Sequence, residues 1–281
     1  MKPFRWDFSR AEQLGRLSEG PLPEAYPDFL EDVKAAAARI LAFSEDGYIV
    51  FIGRSPESIY DYLSGAFSKS PKVEDFVLLN VSNRYEIIQK SGRHRAEAYA
   101  AAKVHFSGCA VAPQQILARS KPTILVDLVA HGSTFKNLTK LLLTWADEEG
   151  IPQNQLLQKL AYRGLTSKTH TSPNTYRWHQ HAEWIESLHI RNIKNISIPY
   201  RLWDYLGNFQ PKTMPTNPPA SWNSEQLLEP PRQEGNILAL RQAYHLYQTG
   251  AAEGRVFAGL LAKEEAMAES WFRSLTLQLK S

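Results

Sequence analysis

The sequence is short of several things, and each shortage removes a class of protein. Its 281 residues include one cysteine. No disulfide framework is therefore available, and a reduced, cytoplasmic compartment fits best. That residue, Cys109, lies in FSGCAVA, whose apolar flanks favour a buried, inert thiol over a nucleophile. No window approaches the roughly 18 uninterrupted apolar residues of a membrane span, so a soluble protein without a membrane partner is expected. The opening MKPFRWDFSRAEQLG has no continuous apolar core, and no signal peptide is expected. An excess of one charge is also missing: 32 basic residues against 29 acidic ones leave +3. That balance permits an anionic ligand and argues against nucleic acid, which asks for a concentrated basic face. Neither HExxH nor paired-cysteine spacing occurs, so a protein-bound metal has no anchor. His179 and His181, with Glu183 two further on, diverge on the helix their segment suggests. Without a Gly-x-Ser-x-Gly elbow, a serine hydrolase triad has no anchor either.

What is present is a hydrophobic content of 43%, enough for a sizeable core, and a regular alternation of element types. After an N-terminal arm, residues 1–27, DFLEDVKAAAARILAFS reads as a helix because Phe29, Val33, Ala36, Ile40 and Leu41 return at spacings of mostly three and four. GYIVFIG, Gly47 to Gly53, is a buried strand, SPESIYDYLSGAF a helix, and DFVLLNVS a second strand. RHRAEAYAAAKVHF and PQQILAR look helical, Thr123 to Val129 is a third apolar strand, and Ser133 to Asp147 another helix. Strands this apolar, alternating with helices, predict an α/β core over residues 28–150 with a mostly parallel sheet covered on both faces. Residues 151–281 read differently. IPQNQLLQKLAYRGL looks helical, HTSPNTYRWHQHAEWIESLHI is polar and aromatic, and six prolines between 210 and 233 exclude a regular element there. Helix returns from NILALRQAYHLY onward. A helical, loop-rich C-terminal extension is expected, compatible with a separate lobe.

Two strand-to-helix turns carry the chemistry. In FIGRSPES the strand ends at Gly53, Arg54 offers a positive fork, and Ser55 and Pro56 suit the start of a helix. A helix start favours an anion through its open N–H groups and its dipole. In VDLVAHGSTFKNL, Asp127 stands near the carboxyl end of its strand, where open α/β sheets place ligands. Gly132 lets the backbone fold round a group, Ser133 and Thr134 add hydroxyls, and Lys136 adds charge. The bland alternative is that both are ordinary capped turns. Taken together they suit a ligand with two phosphate groups flanking a ribose. Arg84, directly after the second strand, is a further basic candidate.

The stretch ILVDLVAHGST resembles the signature of the type I phosphoribosyltransferases, in which an apolar strand ends in two acids and a following loop holds the ribose 5-phosphate. FIGRSPES stands where that family has its pyrophosphate loop. The resemblance covers roughly residues 30 to 150. It implies a phosphoribosyltransferase-like fold, ribose hydroxyls on Asp127, the 5-phosphate on His131, Gly132, Ser133 and Thr134, and the diphosphate on Gly53, Arg54 and Ser55. It also implies Mg²⁺ arriving with the diphosphate substrate. The activity implied is transfer of ribosyl phosphate to a nitrogenous acceptor, with Asp127 and Arg54 as catalytic residues; a homodimer is compatible.

One departure shapes the alternatives. Val126 stands where the family has its first acid, which leaves less negative charge to stabilise a cationic sugar. Binding tolerates that loss better than catalysis, so a catalytically inactive phosphosugar- or nucleotide-sensing module is the second expectation. Another phosphotransfer or hydrolysis on a nucleotide-like substrate is the third. The aromatic stretch Ile198 to Trp222 reads equally as a wall beside a substrate base or as a packing arm.

Overall fold

Phe29, Val33, Ala36, Ile40 and Leu41 form the buried side of the first helix, α1 (Phe29–Ala42). The apolar run that follows is β1 (Tyr48–Ile52), then come α2 (Glu57–Ala66) and β2 (Phe76–Leu79). The computed structural model describes residues 6–81, 93–168, 177–187, 190, 192–214 and 232–280. Next in order are α3 (Arg93–Gly108), α4 (Pro113–Ala118), β3 (Thr123–Leu128), α5 (Ser133–Glu148) and α6 (Gln153–Lys159). After these run β4 (Leu160–Ser167), α7 (Glu183–Ser187), β5 (Ile193–Ile198) and α8 (Tyr200–Asp204). The chain closes with α9 (Glu234–Ala252), α10 (Gly254–Leu261) and α11 (Ser270–Gln278).

The five strands pair in the order β2-β1-β3-β4-β5, and every pairing is parallel. Alternate residues of each strand feed two apolar layers. Ile49, Phe51, Ile124 and Val126 pack with α1 and α2, while Val50, Ile52 and Leu125 pack with α3, α4 and α5. The expected α/β architecture, a parallel sheet with a helical layer on each face, is present. The order reverses direction between β1 and β3, since β2 lies to one side of β1 and every later strand to the other. At such a point the two following turns leave the sheet in opposite senses and open a crevice beyond the strand ends.

The sheet does not stop at residue 150. IPQNQLLQKLAYRGL, expected to be one helix, divides at Lys159, and Leu160–Ser167 is a strand buried at all eight positions. Local spacing could not reveal this, because the segment places Arg163 in the interior. That guanidinium is fully buried; it donates to the Phe43 carbonyl at 2.6 Å and bridges to Glu45 at 2.8 Å. The C-terminal region also packs directly on the core. Glycine lets α9 lie against α2: a Cβ on Gly65 would stand 1.9 Å from the Tyr247 carbonyl oxygen, and one on Gly250 would stand 2.3 Å from that of Tyr62. The expected boundary at 150 thus falls within the sheet-forming part of the chain, and β4, β5 and α9 belong to the same core.

Candidate functional site

β1 and β3 are hydrogen-bonded neighbours with Phe51 opposite Val126. Their following turns therefore emerge side by side, at about the 4.8 Å spacing of adjacent strands, on the two banks of the crevice. The turns expected to hold the diphosphate and the 5-phosphate follow these two neighbouring strands.

On the β1 side, Gly53 adopts φ +74°, a left-handed turn that glycine tolerates without a Cβ penalty, and its N–H donates to the Leu79 carbonyl at 2.8 Å. Gly53, Arg54 and Ser55 are half-buried. The expected cap is not formed: Pro56, not Ser55, holds the N-cap position of α2, and no side chain bonds the first-turn amides there. Instead Glu57, buried at 3% exposure, carries a carboxylate into the first turn. It accepts from Gln210 Nε2 at 3.2 Å, the Thr213 amide at 3.4 Å and the Thr213 hydroxyl at 2.7 Å. Gln210 also donates to the Arg54 carbonyl at 3.2 Å and accepts from the Ser58 hydroxyl at 2.7 Å. The Arg54 guanidinium donates to the Met214 carbonyl at 3.1 Å.

These partners come from the stretch after β5. There α8 runs into a π-helical turn, Tyr205–Phe209, a geometry frequent at functional sites. A Cβ on Gly207 would stand 3.2 Å from Leu128 Cδ2, so this turn rests on the end of β3. A few residues on, Lys212 donates to the carbonyls of Leu206 at 2.6 Å and Arg54 at 3.4 Å. Burial lowers the Lys212 ammonium to about 8; the nearby Glu57 opposes that fall and Arg54 adds to it. Residues 205–214 therefore span both banks of the crevice. Glu57, Gln210, Lys212 and Thr213 were not singled out from the sequence, and no local pattern marks them, because their meeting is long-range.

On the β3 side, Asp127 is 7% exposed, and its carboxylate accepts from the Leu128 amide at 2.7 Å and from the Thr134 hydroxyl. Burial pushes its carboxyl up to about 7, with both hydrogen bonds pulling the other way. Val126, in the place of the family's first acid, is fully buried in the opposite apolar layer. Gly132 is the N-cap of α5 at φ +75°, with no side-chain cap bond. A Cβ there would stand 2.5 Å from the Trp178 ring, so the indole closes over the turn's inner side. His131 and Ser133 are exposed, Thr134 and Lys136 half-buried. The first helical bond of α5 runs from the Lys136 amide to the Gly132 carbonyl at 3.0 Å. Amides before it have no acceptor within the helix, which is the arrangement that favours an anion.

Arg84 lies outside the described residues, as do residues 215–222 of the aromatic stretch. His179 Nδ1 faces Asn195 Nδ2 at 3.2 Å, and no cluster of His, Cys, Asp or Glu among the described residues could hold a metal ion. Burial drives the Cys109 thiol up to about 12, where it is no nucleophile at neutral pH. No described helix is long and apolar enough to cross a membrane.

The fold and the crevice define an α/β protein with an all-parallel five-stranded sheet. Comparison of the chain with models of known families, with curated proteins and with solved structures gives no significant match.

Proposed function

We propose that this chain is a phosphoribosyltransferase-like protein that takes a phosphorylated ribose, with phosphoribosyl diphosphate the leading candidate, into the crevice between the β1–α2 and β3–α5 turns. One observation carries the reading: both anion-suited turns lie side by side where the strand order reverses. Ser133, Thr134 and the first-turn amides of α5 take the 5-phosphate, with Gly132 supplying the left-handed turn that leads into the helix and His131 and Lys136 at the rim. Arg54 exchanges its Met214 carbonyl for the diphosphate, beside Gly53 and Ser55. In the transfer, the bond from the sugar's C1 to the diphosphate oxygen breaks and the bonding pair leaves with the diphosphate. The acceptor nitrogen then bonds C1 and sheds its proton. Arg54 supplies positive charge to the departing group.

The donor set does not suit a protein-held Mg²⁺. Asp127 is buried and hydrogen-bonded, its affinity for a proton is raised, and Val126 provides no second carboxylate. Any Mg²⁺ would enter as the counter-ion of the diphosphate. The same two residues favour a second reading, in which the crevice binds a phosphosugar or nucleotide as a regulatory module without turnover.

Calorimetry with phosphoribosyl diphosphate, with and without Mg²⁺, tests the binding. A diphosphate-release assay over a panel of nitrogenous bases tests the transfer. Binding with release supports the transferase, and binding alone supports the regulatory module. Absence of binding, with Thr134→Ala silent in thermal shift, removes both.

A further inference from the structure

Lys212 carries a charge that its structural bonds do not require. Its ammonium donates to the Leu206 carbonyl at 2.6 Å and to the Arg54 carbonyl at 3.4 Å, and among the described residues it has no other hydrogen-bond partner. The second bond is long, beyond the usual range for N–H to oxygen. An ammonium has three donors, so one is left over. No carboxylate of the described residues forms an ion pair with it. Glu57 acts on it through its charge, but both Glu57 oxygens already accept from Gln210 and Thr213.

The place of this ammonium is well defined. It lies between the β1–α2 turn, through Arg54, and the π-helical turn that rests on the end of β3. A neutral donor would serve both carbonyls without the cost of burying a charge. Gln210 does so already, since its Nε2 donates to the Arg54 carbonyl at 3.2 Å. Arg54 is close enough for its charge to oppose that of Lys212. Two cations therefore converge on one turn, beside the positive end of α2, and an arriving anion would relieve their repulsion.

We infer that Lys212 is a second cationic ligand of the diphosphate, exchanging its long bond to the Arg54 carbonyl for a phosphoryl oxygen while keeping the Leu206 carbonyl. This rests on the reading of the crevice given above and adds a preference to it. Paired with Arg54, Lys212 matches a diphosphate better than a single phosphate, and it adds positive charge to a group that departs with the bonding pair.

Titration calorimetry with inorganic diphosphate at constant ionic strength tests this on the parent, Lys212→Met and Lys212→Arg. Lys212→Met is expected to weaken binding by about tenfold or more, and Lys212→Arg to retain most of it. A second readout depends on the proton. Burial lowers the Lys212 ammonium to about 8, so the parent's affinity relative to Lys212→Arg should fall about tenfold between about pH 7 and pH 9.5. Glu57 and Arg54, the charged groups acting on Lys212, are present in both proteins and cancel in that ratio. A third readout needs no variant: diphosphate should protect Lys212 from acetylation, followed by mass spectrometry against the exposed Lys263. Should Lys212→Met fail to fold, the pH ratio and the protection decide. Equal affinity of a folded Lys212→Met, a flat pH ratio, or equal acetylation of Lys212 with and without diphosphate overturns the inference and leaves the crevice standing. No binding of diphosphate by the parent overturns both.

Discussion

Asp127 and Thr134 are hydrogen-bonded to each other across the turn that joins β3 to α5, carboxylate to hydroxyl. The turn proposed for the 5-phosphate is therefore tied to the strand below it by the one acid of the motif. Burial sets the proton affinity of that acid and places its midpoint at about 7, against an ordinary value of 3.8.

Between those two pH values the folded chain binds more protons at Asp127 than the unfolded chain does. Its contribution to stability accordingly falls as pH rises from near 4 toward 7, and the cost is complete above 7. Asp127→Asn keeps an acceptor for Leu128 and Thr134 but no charge. Its melting temperature is expected to exceed that of the parent at pH 8 and to match or fall below it near pH 4.5. Phosphosugar affinity should drop by about tenfold, as expected for losing a charged hydrogen-bond acceptor. Melting curves across this pH range that run parallel for the two proteins would show that Asp127 is not the titrating group.

Glu57 sets stability against anion binding. Glu57→Ala leaves both Thr213 donors without their acceptor and Gln210 Nε2 with the Arg54 carbonyl alone, at a cost of about 2–4 kcal/mol in urea unfolding. The same change removes a carboxylate from the positive end of α2, so phosphoribosyl diphosphate should bind more tightly to the fraction that is folded. Affinity falling in step with stability would mean that the diphosphate does not approach this end.

Arg54 should show the opposite pattern. In the structure its guanidinium makes a partly buried bond to the Met214 carbonyl, so Arg54→Ala is expected to cost only about 1 kcal/mol in stability. Its loss should weaken diphosphate binding about 10- to 100-fold, with Arg54→Lys intermediate because a lysine cannot make the bidentate fork. Titration calorimetry gives the affinities; equal affinity in all three proteins would place the diphosphate elsewhere.

Gly132→Ala combines a left-handed φ with a Cβ 2.5 Å from the Trp178 ring. A loss of about 2–4 kcal/mol is expected from conformational cost and overpacking together. A change in the near-ultraviolet circular dichroism should accompany it as the indole moves. An unaltered aromatic spectrum with wild-type melting would contradict the close packing of this turn.

Much of the core was legible locally. The apolar runs of β1 and β3, the spacing of Phe29, Val33 and Ile40 in α1, and Gly132 at the head of α5 are patterns written within a dozen residues. From them the parallel sheet and the two strand-to-helix turns follow, because strand and helix periods and glycine's freedom are properties of neighbouring residues. The strand β4 was hidden, since burial on both faces removes alternation and Arg163 gives it a polar character that only Glu45 and the Phe43 carbonyl explain.

By itself the sequence determined the class of architecture and the chemical character of the two turns. Tertiary structure alone decided that Asp127 would be buried with a raised proton affinity, and that α9 would lie on α2 through Gly65 and Gly250. It also decided that Glu57 would be held by Thr213, 156 positions away. Burial and long-range hydrogen bonds depend on which surfaces meet, and no short stretch of chain encodes that meeting.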